Sequence, residues 1–150
     1  MRIVLVFLLL FPRFVFSQEV DKAGDFWHLK VDSALVLIGK TDSVLRESIR
    51  ASVERISMWN GSFSTNTVSL GKKGTIFISS KDFSLNSVNN IAAVIVHETL
   101  HVYFGMHGYK MSAELEEKLC YSLELQFLLK IPNVEPWLIE HARKEIEKRK

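Results

Sequence analysis

The stretch Ile91 to Phe104, IAAVIVHETLHVYF, constrains this chain more than any other. Apart from Thr99, its only polar residues are His97, Glu98 and His101, spaced as HExxH. In a strand that spacing would hold the two imidazoles roughly 13 Å apart, too far for one partner to serve both. In a helix it stacks them one turn apart on one face. The run is of helical length, Asn89 and Asn90 are placed to cap its start, and Gly105 is placed to end it. A helix apolar on every side is buried on every side. Two imidazoles and a carboxylate buried there need partners, because an unpaired polar group costs on the order of several kcal/mol.

A metal ion is an economical partner. Two neutral imidazole nitrogens at this spacing can grip one Zn²⁺, and Glu98, next to the first histidine, falls beside the ion, where a carboxylate can take a proton from water. With five histidines in the chain, HExxH arises by chance roughly one time in a hundred. The competing reading is a pair of hydrogen-bonded core histidines without metal.

The amino terminus reads as an export signal. Arg2 precedes an apolar run from Ile3 to Phe11, and Val15 and Ser17 suit the positions before a cleavage at Gln18. The run is too short to span a bilayer comfortably, and Pro12 and Arg13 interrupt it. The expectation is a signal peptide over residues 1–17, a single domain over 18–150, and a secreted or periplasmic protein with no membrane span after cleavage. Losing Arg2 and Arg13 takes the 19 basic residues to 17, equal to the 17 acidic ones. No charge excess remains to argue for nucleic acid or an anionic membrane surface as partner. Cys120 is the sole cysteine, which excludes an internal disulfide, and it reads as a small core residue.

Along the chain, Phe26 to Ile38 alternates loosely and reads as a strand or a bent pair of strands carrying His28. Thr41 or Asp42 opens a helix expected to run to about Trp59, with Leu45, Ile49, Val53 and Ile56 as its buried stripe. Between Gly61 and Ser87 the composition turns to Ser, Thr, Asn and Gly, which reads as strands and turns. The GKKG of Gly71 to Gly74 is a turn signal, and Thr75 to Ser79 is the best strand. With one edge free at the rim of a cleft, that strand could pair with an extended peptide. Ser112 caps a helix that Pro132 closes, with Leu115, Leu119, Leu123 and Phe127 toward the core. Pro136 opens a last helix, with Trp137, Leu138 and Ile146 docking and Glu140–Lys144 and Glu145–Arg149 in solvent.

A catalytic zinc takes a third protein ligand. By helical geometry Glu116 falls near the centre of the leucine stripe and Glu117 toward its edge, and a buried glutamate wants a cation. The chain also resembles the gluzincin branch of zinc metallopeptidases, in which HExxH is followed on a second helix by a glutamate with a small residue three positions on. Glu117, with Cys120 three positions later and sixteen residues after His101, matches that pattern. The resemblance implies His97, His101 and Glu117 as metal ligands. His107 stands ten positions after His97, where the metzincin branch carries its third histidine in HExxHxxGxxH. Here position 104 is phenylalanine, the glycine comes at Gly105, and Met111 is too close to match that branch's methionine turn. His107 or Tyr109 could alternatively donate a hydrogen bond to an oxyanion.

The expected fold is α+β, with a small, partly antiparallel sheet over the HExxH helix and a glutamate-bearing helix beside it, similar to a reduced zincin-like domain of small exported metallohydrolases. The resemblance implies hydrolysis of a peptide or protein substrate, with Glu98 as base. Two other classes compete with it: a zinc-stabilised domain that binds a partner without cutting it, and a structural protein without metal.

Overall fold

The computed structural model describes residues 19–20, 27–80 and 87–149. The expected signal peptide, residues 1–17, lies outside the described residues. In chain order the elements are β1 (Glu19–Val20), α1 (Trp27–Thr41), α2 (Ser43–Ser52), β2 (Val53–Trp59), β3 (Thr65–Ser69), β4 (Lys72–Ser79), α3 (Val88–His107), α4 (Ala113–Leu128) and α5 (Pro136–Lys148). The class is α+β. No helix among the described residues is long and apolar enough to cross a membrane.

The strand expected at Phe26 to Ile38 is instead helix α1 from Trp27 onward. Its fully buried residues, Val31, Ala34, Leu35 and Ile38, recur at three- and four-residue steps, a helical stripe that the looser alternation of the segment obscures. His28 sits on this helix, half-buried.

Asp42 caps α2, its Oδ1 accepting the amides of Val44 and Leu45 at 3.0 and 3.1 Å. That helix stops at Ser52, and the residues expected to continue it form β2. Ile49, Val53 and Ile56 are buried as anticipated. The spacing of this apolar stripe did not separate helix from strand, and the β-favouring VERISMW settled the last seven residues as strand.

The sheet runs β1-β2-β4-β3, with β2 parallel to β4 and β3 antiparallel to it. Strand β4 contains the expected Thr75–Ser79 but lies between two neighbours, so it has no free edge; the edge beside it is β3. The hairpin turns at Leu70 and Gly71, where Gly71 takes a φ of 72°. Lys72, Lys73 and Gly74, read as turn, already belong to β4.

Helix α3 lies on this sheet and carries much of the core, including Ile91, Ile95, Val96 and Val102. It begins two or three residues earlier than expected. Ser87, not Asn89 or Asn90, is its cap, accepting the Asn90 amide at 3.2 Å. It also outlasts Gly105 and ends at Gly108, in left-handed conformation with φ 69°. Gly105 serves packing instead, since a Cβ there would sit 2.3 Å from Val68 Cγ1 of β3.

Ser112 caps α4 as read, accepting the Leu115 amide at 3.2 Å. Its inward face differs from the expected one. Leu115 and Leu119 are 48% and 39% exposed, and the buried residues are Cys120, Glu124, Phe127 and Leu128. On α5, Leu138 and Ala142 dock, whereas Trp137 is 51% exposed. The pairs Glu140–Lys144 and Glu145–Arg149 form at 2.7 Å each.

Gly74 marks the closest approach of sheet and helix. A Cβ built there meets Thr67 O at 2.6 Å and Val102 Cγ1 at 2.8 Å, and a backbone oxygen in a paired strand cannot swing aside. Gly74→Ala is therefore expected to destabilise the domain by about 1–3 kcal/mol in denaturant unfolding.

Candidate metal centre

Helix α3 delivers His97 and His101 side by side toward α4. Their Nε2 atoms stand 3.3 Å apart. The carboxylate of Glu117 closes the third side, Oε2 lying 3.6 Å from His97 Nε2 and Oε1 3.4 Å from His101 Nε2. Two further carboxylates from α4 fix the ring orientations. Glu124 Oε2 is 3.0 Å from His97 Nδ1, and Glu116 Oε1 is 2.7 Å from His101 Nδ1. An ionised carboxylate can only accept, so each Nδ1 carries the proton and donates. Both Nε2 lone pairs are then left facing each other and a carboxylate.

Three acceptors converging in this way need something positive between them, either a second proton on His97 or a cation. The separations suit one: nitrogens about 2.0–2.1 Å from a tetrahedral zinc lie about 3.3–3.4 Å from each other. The donor set, two imidazoles and a carboxylate with hydrogen-bonded outer partners, fits a transition metal. Cys120 adds a fourth possible donor, because His97, His101 and Cys120 each offer a ligand atom within 4.8 Å of the others. Burial, followed by the charges of Glu117, Glu116, Glu98 and Glu124, pushes its thiol well above the usual range. That disfavours the thiolate a metal requires.

The two rivals Glu116 and Glu117 thus both reach the histidines, one at an outer ring nitrogen and the other between the inner pair. His107 is not brought there. The helix continues through Gly105 without the turn that would swing His107 back, and its Nδ1 sits 2.9 Å from the Tyr103 carbonyl oxygen. Tyr109 stacks on Tyr103 in the same exposed cluster.

Glu98, 7% exposed, is held from the sheet side by Asn66 of edge strand β3, whose Nδ2 donates to Oε2 at 2.8 Å. His97 and Glu98 open onto a cavity of about 400 Å³, which Tyr121 of α4 and His141 of α5 also line. The Tyr121 ring packs edge-on against His97 at 4.4 Å between centroids. Burial, and then the nearby carboxylates led by Glu124, raise its phenol to about 12, so it stays a hydrogen-bond donor at neutral pH. Arg149 lies over that ring at 5.0 Å from its centroid and sits 3.9 Å from Glu117 Oε2.

Asn66, Tyr121, His141 and Arg149 had no signature in the sequence as site residues. Glu124, which the sequence allows as either a solvated acid or an outer partner of the site, is the latter, buried against His97 Nδ1. No protein-family model, curated protein or solved structure matches the chain.

Burial works against a charged His97, but hydrogen bonds to Glu117 and Glu124 and the charges of Glu124 and Glu98 outweigh it, raising its pKa from 6.5 to about 9. The His97 interaction with Glu117 in turn holds that carboxyl below its ordinary range, against the opposing effect of burial. Without metal, the His97 proton supports the fold fully below about pH 6.5, and that support fades as pH rises through about 9. A metal must displace this proton. Uptake near neutral pH is expected to release about one proton per ion, falling toward none above the raised pKa, as read by calorimetry in buffers of differing ionisation enthalpy. Replacing Glu116 or Glu124 by alanine is expected to weaken metal binding about 10–100-fold in chelator competition; undiminished affinity would mean that packing alone orients the rings.

Proposed function

We propose that the protein is a zinc-dependent peptide hydrolase of reduced zincin-like architecture, with His97, His101 and Glu117 holding the metal and Glu98 as general base. The observation that carries this reading is the convergence of two imidazole lone pairs and one carboxylate, each imidazole oriented by its own outer glutamate. When bound, the ion supplies Lewis acidity, polarising the scissile carbonyl and acidifying the attacking water. Asn66 keeps the Glu98 carboxylate aimed at the cavity. From there Glu98 accepts the water's proton and returns it to the leaving nitrogen.

Negative charge developing on the carbonyl oxygen needs a donor. Tyr121 and His141 line the same cavity and replace His107 and Tyr109 in that role. Edge strand β3, rather than β4, offers main-chain groups to an extended substrate. The substrate class is peptide or protein, and the export expected from the amino terminus would place the activity outside the cytoplasm.

Cys120 favours a second reading. Its ligand atom lies within 4.8 Å of those of His97 and His101; if the thiolate bound the same ion with Glu117 as the fourth donor, the coordination would be closed and the metal structural. Cobalt substitution separates the two, since a sulfur-to-cobalt charge-transfer band belongs only to the closed site. For the hydrolase, Glu98→Gln is expected to lower turnover of a cleavable peptide at least about 100-fold while metal content and fold persist. Unchanged turnover would remove Glu98 as the base.

A further inference from the structure

The cavity beside His97 and Glu98 has two exposed aromatic side chains on its walls, Phe63 and Trp137, 67% and 51% exposed. They come from unrelated parts of the chain, the connection between β2 and β3 and the first turn of α5. Neither backbone is loose. The Phe63 carbonyl accepts Trp59 Nε1–H at 3.1 Å, the neighbouring Ser64 Oγ accepts the Ser79 amide at 3.1 Å, and Ser79 Oγ donates to the Gly61 carbonyl at 2.6 Å. Trp137 follows the helix-opening Pro136 and precedes the fully packed Leu138. Asn89 of α3 ties the same helix end down, donating to Glu135 Oε2 at 2.7 Å.

Two large apolar side chains kept in water on pinned backbone are characteristic of a binding surface, because rigid aromatics give contact area at little entropic cost. The volume of about 400 Å³ is in the range of ligand sites. Both carboxylates inside are already engaged, Glu98 by Asn66 and Glu124 by His97. Among the described residues, no lysine or arginine lines the cavity to receive an anion.

We infer that this cavity is a side-chain subsite for a large neutral residue, aromatic or branched aliphatic, next to the peptide bond being cut, gripped between Phe63 and Trp137. The inference rests on the hydrolase reading for the placement of the bond, but the subsite itself is a property of the two walls. Acidic side chains are excluded by the carboxylates already present, and small ones leave the aromatic faces wet.

Hydroxamates of N-acetylated phenylalanine, leucine, alanine and aspartate, offered to the zinc-loaded full chain, test it through calorimetric affinity. The phenylalanine and leucine compounds are expected to bind at least about tenfold more tightly than the alanine compound, and aspartate most weakly. Phe63→Ala and Trp137→Ala should each remove most of that ratio while metal content stays constant, and Trp137→Phe should keep it. Equal affinity across the side chains, binding of none of them, or a preference that survives the double alanine variant overturns the subsite. Cleavage of peptides without side-chain preference sinks the subsite and spares the hydrolase. A hydroxamate preference with no peptide cut does the reverse.

Discussion

Mutual repulsion among acceptors organises this molecule. His97 and His101 each donate outward to a glutamate, so their remaining lone pairs point at each other and at Glu117. Such an arrangement is unfavourable until something positive sits within it, and a proton on His97 or a metal can each fill that role. The neighbouring elements serve to keep the acceptors in place. The sheet supports α3 from below, α4 presses its acidic face against it, and α5 covers α4.

Helix α4 illustrates how a cluster of paired polar groups overrides an apolar sequence pattern. Its regular leucine spacing suggests a core stripe at Leu115 and Leu119, yet these are exposed. The helix turns inward the face bearing Glu116, Glu117, Cys120 and Glu124. Ordinary burial energetics would reject that choice, since carboxylates are costly to bury without counter-charge. The histidines, each paired with these carboxylates, make it tenable. Cys120 has a steric part here as well: its small side chain, fully buried, lets α3 and α4 come near enough for the carboxylates to reach.

Local chemistry was readable and long-range chemistry was not. The motif helix, the Ser112 cap, the Pro136 start and the strand at Thr75–Ser79 all follow from short-range signals, and so do the α+β class and the two rival glutamates. The pattern failed where two periodicities overlapped, in α1 and at the helix-to-strand change after Ser52. It was silent on partners distant in sequence. Asn66 reaches Glu98 across 32 positions and Glu124 reaches His97 across 27, and no spacing rule anticipates contacts created only when a sheet edge and a second helix close on the first.

Asn66 ties Glu98, proposed above as the base, to the outermost strand of a small sheet, which among the described residues is paired on one side only. Strand margins breathe more readily than interiors, with opening energies well under that of the whole domain. Breathing of β3 would release Glu98 from its amide partner while α3 and the three converging donors stayed put. Were Glu98 the base, as proposed above, proton transfer would then fail on heating before the fold itself did.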